Sequence, residues 1–421
     1  MTTDVNAGAA TPQQRHKSLE TTLPVANFIS YFAIAAVEFA VPFVAVATLG
    51  ATSLVIAALG ICRFAPQVLL ARTAALIVER YDQRTVMLGS ELLRVVAFLL
   101  SALALVVSPG WGLAIFALAN IALACGSILT SVSTQVLVPA VFADKALPKV
   151  YARLGIAESS ADGLAPFLTG LGLGALGVSP TFGVAAALAA CACALLLRIP
   201  RIRVPADEPE EGEPQAASRT TLRRGLRYNL DTPPLRIITI WAVSYNLGQC
   251  IIEALLLIAL LKQTPITAAS YGVIRTCAVL FAVLGAYLAE RLPTRLRSGL
   301  GTSIFGCGAV AAYAVTGIGA YLGGMTGLAL VIAGFMLDEF CSGVALVRIQ
   351  TLRARTIAQK DRAIATAAYR ALNLTAVPVG FALGGLAGLF LTPASILLAV
   401  GLLMLLPALL ILSRSVRTSA D

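Results

Sequence analysis

Four ionisable residues lie in the middle of long apolar segments, where charged side chains are rare. Glu38 and Arg63 occupy neighbouring segments early in the chain, and Glu253 and Arg275 occupy neighbouring segments later. A charge at the centre of a bilayer costs about 2.5–3.5 kcal/mol on insertion scales, so such groups normally face a protein interior and pair with one another. We therefore predict one buried acid–base pair in each half of the chain.

Two interpretations of these pairs remain open. Each pair could simply neutralise buried charge, since leaving one partner alone costs about 3–5 kcal/mol. Alternatively, a carboxylate whose arginine partner moves away can take up a proton on one side of a membrane and release it on the other. Under the second interpretation protons are the coupling ion, and no other cofactor is expected.

Further acids lie in other apolar segments. Asp338 and Glu339 are adjacent, and their segment has no basic residue near them. Adjacent helical residues point about 100° apart, so we expect only one of the two to face a cavity squarely. Asp162 shares a helical face with Glu158, nearer to the polar end of its segment, where water can solvate both.

Uncharged polar residues could line a cavity between the segments, although each could equally form a hydrogen bond between helices. Those that we single out are Tyr31, Asn120, Tyr245, Gln249 and Asn373. The chain has one histidine, His16, and its eight cysteines show neither CxxC nor zinc-ligand spacing. We therefore predict no catalytic site and no metal site.

The elements that must position these residues are transmembrane helices. The chain of 421 residues is 58% hydrophobic and only 12% charged, whereas a soluble domain carries roughly 25% charged residues. Uncharged runs such as 39–62 and 299–337 exceed the roughly 20 residues that cross a bilayer as helix. We predict an all-α polytopic membrane protein with twelve spans, among them 53–77 and 393–413, and the lipid bilayer as its surroundings.

The basic residues indicate the orientation of the chain. They lie in the connections after even-numbered spans, and cytoplasmic loops retain Lys and Arg. These connections contain Arg80, Arg84, Lys145, Lys149, Arg153, Arg291, Arg295, Arg297, Arg353, Arg355, Lys360 and Arg362. The net charge of +10 is thus attributed to orientation and not to nucleic acid, and both termini are predicted to be cytoplasmic.

An internal repeat divides the chain into two halves. Gly60 and Gly272, Ser30 and Ser244, and Glu38 and Glu253 recur, with other pairs, at differences of 211 to 215 in residue number. We therefore predict two pseudo-symmetric six-helix bundles. The boundaries are a cytoplasmic tail at 1–23, the first bundle at 24–197, a cytosolic linker at 198–236, the second bundle at 237–413 and a tail at 414–421.

The connection at 75–84 contains Glu79, Arg80, Asp82 and Arg84. It resembles the loop between spans 2 and 3 of the major facilitator superfamily (MFS), G-x-x-x-D-R-x-G-R-R. It departs from that pattern with Ala75, Glu79 and Asp82 in place of glycine, aspartate and the second glycine. The resemblance implies a cytoplasmic gate that also uses Glu290, Arg291 and Arg295 of the second half. The alternative is a solvated basic turn that only sets orientation.

Segments 89–94, 137–139, 152–159 and 369–380 resemble the drug, macrolide and siderophore exporter branch of that family. The resemblance implies an MFS fold and export of a small amphiphilic molecule by proton antiport and alternating access, in the cytoplasmic membrane of a bacterium. Small residues at 163–174 are similar to the antiporter motif of that branch, although Ala165 replaces its glycine. We expect the transporter to function as a monomer.

Several alternatives remain open. Within transport, the protein could be a proton-independent facilitator, an importer or a lipid flippase of the same fold. Outside transport, it could be a membrane receptor or an enzyme, although no paired catalytic residues are found at a membrane face.

Overall fold

The computed structural model describes residues 12–142, 146–199, 217–264, 266–293, 296 and 299–417. Within these residues the protein is all-helical. The helices are α1 (Pro12–Ala47), α2 (Ser53–Leu69), α3 (Ala71–Arg80), α4 (Gln83–Leu103), α5 (Pro109–Val141), α6 (Leu147–Ala175), α7 (Val178–Leu196), α8 (Ala217–Asp231), α9 (Pro233–Gln263), α10 (Ala268–Ala289), α11 (Gly299–Leu322), α12 (Gly324–Thr356), α13 (Arg362–Ala387), α14 (Pro393–Leu403), α15 (Leu405–Ile411) and α16 (Arg414–Arg417). A short 3-10 turn at Gln359–Asp361 precedes α13.

Ten helices of the described chain are long and apolar enough to cross a membrane, or eleven if the bent pair α2–α3 is one span. That pair bends by 55°, so the span predicted at 53–77 corresponds to two helices with a break at Leu70. Helix α6 has 29 residues but carries Lys149, Arg153, Glu158 and Asp162. It is therefore long enough to cross a membrane but more polar than the helices counted above. The predicted count of twelve therefore depends on α6 and stays a prediction.

The helices pack as two bundles with the same internal arrangement. In the first bundle, α1 packs against α6 and α7, α2 against α5, and α4 against α5 and α7. In the second bundle, α9 packs against α13 and α14, α10 against α12, and α11 against α12 and α14. Each of these contacts in the first bundle has its equivalent in the second, which is the packing of a duplicated six-helix unit.

The predicted linker at 198–236 contains α8 and the start of α9, while residues 200–216 lie outside the described residues. Helix α8 is fastened to the second bundle. The Asn229 amide donates to the Ala365 carbonyl at 2.8 Å, and the Arg353 guanidinium donates to Asn229 at 3.0 Å. The Arg353 guanidinium also lies 3.7 Å from the centre of the Tyr369 ring, so α8, α12 and α13 form one unit.

The bundles meet closely along two helix pairs, α6 with α10 and α2 with α13. An added Cβ at Gly272 would lie 2.3 Å from the Pro166 carbonyl oxygen, and one at Gly170 would lie 2.5 Å from that of Ala268. Gly385 of α13 packs equally closely against Ala57 of α2. These contacts lie toward the membrane face that carries the connections 48–52, 264–267 and 388–392, which we call the neutral end. The opposite face, with the connections 81–82, 290–293 and 357–361, is called the basic end.

We expect Gly272→Ala to prevent close approach of the bundles at the neutral end, because the new methyl group meets backbone that cannot turn aside. Spin labels at Trp111 and Met325, which are exposed at the neutral end of either bundle, should report a longer mean distance in the variant. Gly174→Ala is the matched control, since a Cβ there meets nothing within 4 Å. Identical distance distributions in Gly272→Ala and the native protein would contradict the assignment of this contact.

Candidate functional site

A cavity of about 520 Å³ opens along the inner face of the first bundle, between the neutral-end contacts and the basic end. It falls within the range of roughly 300–1,000 Å³ of small-molecule sites. Its wall carries six side chains that matter for chemistry: Tyr31, Glu38, Arg63, Glu158, Asp162 and Arg370. The first five come from the first bundle, and Arg370 reaches in from α13, so both bundles contribute to this cavity.

The predicted pair of the first half is present in this cavity. The Arg63 guanidinium contacts the Glu38 carboxylate through Nη2. Arg63 is only 7% exposed, whereas Glu38 is open to the cavity. The remaining nitrogens of Arg63, Nε and Nη1, have no hydrogen-bond partner. The buried guanidinium therefore depends on Glu38 for its neutralisation.

The predicted pair of the second half is present but looser. Nη2 of Arg275 lies 3.7 Å from Oε1 of Glu253, and both side chains are partly exposed. Glu38 and Glu253 line one pocket of about 80 Å³ between the bundles, together with Asn120 and Phe381. The two acids related by the sequence repeat thus face each other across the bundle interface.

Asp338 and Glu339 face different cavities, as their 100° separation requires. Asp338 is 7% exposed and accepts a hydrogen bond of 3.0 Å from the Tyr245 hydroxyl. It lines a narrow pocket with Glu253 and Arg275. Within the described ranges, Asp338 forms no ion pair, so it is a buried carboxyl group without a bonded cation.

Glu339 lines a second cavity of about 400 Å³ in the second bundle. Its wall contains three aromatic side chains, those of Trp241, Tyr245 and Tyr369. The Tyr245 ring stacks on that of Trp241 at 5.2 Å between centroids. Gln249 also lines this cavity.

The remaining polar candidates also reach a cavity. Asn373 lines the second cavity and accepts a 2.7 Å hydrogen bond from Asn246. Tyr31 lines the first cavity, and Asn120 lines the small pocket between the bundles. All five polar candidates therefore border a cavity, and three of them, Tyr245, Gln249 and Asn373, form an interhelical hydrogen bond as well.

The predicted gate residues lie at the basic end. Asp82 caps the N-terminus of α4 by accepting from the Thr85 amide at 3.2 Å, and Arg84 donates to the Leu197 carbonyl at 2.8 Å. Glu79, Arg80 and Glu290 are exposed, and the Arg291 guanidinium lies 4.3 Å from the centre of the Tyr287 ring. Arg295 lies outside the described residues. These contacts fit either the gate or the basic-turn interpretation.

Sequence reasoning missed a buried network in the first bundle. Arg94, 1% exposed, contacts the carboxylate of Glu91, 2% exposed. Arg94 also donates to the Ser30 hydroxyl at 2.6 Å and to Thr130 at 3.0 Å. The i,i+3 spacing of Glu91 and Arg94 within segment 89–94 could have indicated this pair. We considered that segment only for its resemblance to the exporter branch.

Comparison with known proteins agrees with this architecture. The family model of the Major Facilitator Superfamily matches residues 24–329. A search of curated protein sequences finds no match.

Three solved structures of similar fold illustrate the architecture. The nucleoside transporter NupG has a TM-score of 0.71 at 13% identity, covering 93% of this chain and 98% of that chain. A bacterial homologue of the iron transporter ferroportin, in its inward-facing state, has a TM-score of 0.70 at 16% identity, covering 94% and 99%. A POT family transporter in complex with a thioalcohol-conjugated peptide has a TM-score of 0.68 at 14% identity, covering 93% and 95%. At these identities the likeness concerns the fold, and because the family model covers most of the sequence, this chain belongs to the Major Facilitator Superfamily.

Proposed function

We propose that this protein exports a small amphiphilic molecule, such as a drug, an antibiotic or a siderophore-like metabolite, in exchange for protons. The observation that supports proton coupling is the environment of Asp338. A carboxyl group that is buried and bonded only to a tyrosine hydroxyl is costly to hold ionised, because no cation compensates the loss of solvation. Proton uptake and release at such a group is a direct way to link proton movement to conformation.

The position of the acids relative to the bundle interface also supports proton coupling. Asp338 and Glu253 border the same narrow pocket with Arg275, and Glu253 and Glu38 border the pocket between the bundles. The carboxyl groups therefore form a series from the interior of the second bundle to the interface. A rocking motion that opens the neutral end would expose this series to the other side of the membrane.

The orientation follows the positive-inside rule, with the basic end and both termini in the cytoplasm of a bacterium. The 520 Å³ cavity then faces the cytoplasm while the glycine contacts close the outer side, which is the state that takes up an export substrate. Gly170 and Pro166 on α6 form the outer contact with α10. This is the segment whose small residues resemble the antiporter motif, so the resemblance favours export, while the inward-open packing is shared by exporters and importers.

Inverted membrane vesicles test this proposal. An acidified lumen is established, and a panel of cationic and amphiphilic compounds is added while a lumenal dye reports pH. We expect at least one compound to collapse the gradient in vesicles that contain the native protein and in none that lack it. A facilitator or flippase would move the compound without a pH change, and a receptor would bind it without moving it. Either result would overturn the export proposal.

We expect Glu253→Gln and Glu38→Gln each to lower proton-driven transport about tenfold, because each removes a carboxylate from the interface pocket. Stability should respond differently in the two variants. Arg63 is buried and Arg275 is partly exposed, so Glu38→Gln should lower the thermal unfolding midpoint more than Glu253→Gln does. Normal transport by both variants across a range of pH would remove these two residues from the coupling mechanism.

A further inference from the structure

The charges of the 520 Å³ cavity do not balance within the protein. Glu38 forms an ion pair with Arg63, and Glu91 forms one with Arg94. Among the described residues, Glu158, Asp162 and Arg370 also line this cavity but form no ion pair. Two carboxylates of α6 and one guanidinium of α13 are thus left facing a space large enough for a metabolite.

The two carboxylates share one wall of the cavity. Glu158 and Asp162 are one helical turn apart on α6 and so project from the same face. The Asn27 amide donates to Oε1 of Glu158 at 3.2 Å, which fixes this carboxylate and leaves its second oxygen free to accept. Tyr31 lines the same cavity, and its aromatic face is a further group that an ammonium ion can contact.

The basic side of the cavity contains donors without acceptors. Arg63 is 7% exposed, and its Nε and Nη1 have no partner, nor does Nε of the nearly fully buried Arg94. Buried guanidinium nitrogens are normally satisfied, and each unsatisfied group is costly. Arg63 and Arg94 both line this cavity, and Arg370 enters it from the opposite bundle. The unpartnered nitrogens of Arg63 and Arg94 are shielded from the cavity, whereas Arg370 is exposed and lines it, so Arg370 is the group that an anionic acceptor would meet.

We propose that the cavity binds a zwitterion: an ammonium group between Glu158 and Asp162, and a carboxylate or other anionic group at Arg370. The unpaired charges, two negative and one positive, favour a ligand with two amines and one acid. Because Arg370 belongs to the second bundle and the acids to the first, the ligand bridges the bundles. It would therefore be bound by the halves that must move during transport.

This inference rests on the proposed function only in treating the cavity as the substrate site, and binding tests it without a proton gradient. The probes are lysyl-phenylalanine, its C-terminal amide and its diacetylated form, titrated against the full chain in lipid nanodiscs. We expect a Kd for lysyl-phenylalanine at least tenfold lower than for either blocked form, since one charge-assisted contact is lost in each. Equal affinity for the three forms, or no binding of lysyl-phenylalanine, would overturn the proposal.

Variants assign the two ends of the ligand. Arg370→Gln should abolish the discrimination against the amide, and the double variant Glu158→Gln with Asp162→Asn should abolish that against the diacetylated form. Arg362→Gln and Asp231→Asn, which change the same charges on exposed residues outside this cavity, should keep both. The assignment would be contradicted if Arg370→Gln lost the discrimination against the diacetylated form instead, or if the acid double variant lost that against the amide. It would also be contradicted if the control variants lost either discrimination to the same extent. Selective binding without proton exchange would instead overturn the export proposal and leave this inference standing.

Discussion

Asp338→Asn is expected to abolish accumulation driven by a proton gradient but to leave exchange of substrate across the membrane intact. Asparagine keeps the size of the side chain and an oxygen that accepts from the Tyr245 hydroxyl, a bond of 3.0 Å in the native protein. It cannot bind or release a proton, so the coupled step is lost while packing is preserved. For an exchange of one proton per substrate, the accumulation ratio should fall from about tenfold per pH unit to one.

The measurement uses a compound that the native protein transports, with proteoliposomes kept at fixed or zero pH gradient. Asp231→Asn, at the exposed end of α8, is the control and should retain full accumulation. If Asp338→Asn still concentrated the compound against its gradient, the proton would be carried elsewhere, and Glu339 would be the next residue to replace.

Arg94→Leu is expected to have the largest effect on stability. It leaves the Glu91 carboxylate, 2% exposed, without a cation in the interior of the first bundle. Removing one partner of a buried pair costs about 3–5 kcal/mol, whereas replacing both by apolar residues is often neutral. The double variant Glu91→Leu with Arg94→Leu should therefore recover most of the stability that the single variant loses.

Thermal unfolding in mild detergent, followed by reaction of a thiol dye with the buried Cys250 and Cys341, measures this effect. Arg224→Leu is the comparison. Its guanidinium is 66% exposed and pairs at 2.8 Å with Asp361, whose side chain is 12% exposed, so the loss should lie between the roughly 0–1 kcal/mol of a surface pair and the roughly 3–5 kcal/mol of a fully buried one. A double variant no more stable than Arg94→Leu would show that hydrogen bonds to Ser30 and Thr130, and not charge compensation, dominate this network.

The pairs Glu38–Arg63 and Glu253–Arg275 could be predicted from sequence because the cost of isolated charge in hydrocarbon leaves few alternatives. Each apolar segment offered one candidate partner, and the helical rise placed both at a similar depth. The repeat then related one pair to the other. The same reasoning identified the all-helical, two-bundle fold, since a bilayer requires backbone groups to be satisfied within each helix.

The contribution of Arg370 to a cavity of the first bundle could not be predicted in this way. Its position depends on how α13 crosses α2, and no periodicity within one helix records that crossing. The bend after Leu69 was missed because the apolar content continues through the break. The network of Arg94 was missed because Ser30 and Thr130, which complete it, are unremarkable polar residues on other helices.

The contacts of Gly170 and Gly272 bring main chain against main chain, so at these two positions no side chain lies between the helices. Separating the helices there therefore requires no rotamer change, unlike separation of an interlocked core. The helices are held together there by dispersion and by weak Cα–H to carbonyl attraction, both of which are small in energy and short in range. Such a contact should separate readily once binding of the ligand or of a proton favours separation by a small free energy. It should also re-form without a search for new side-chain contacts.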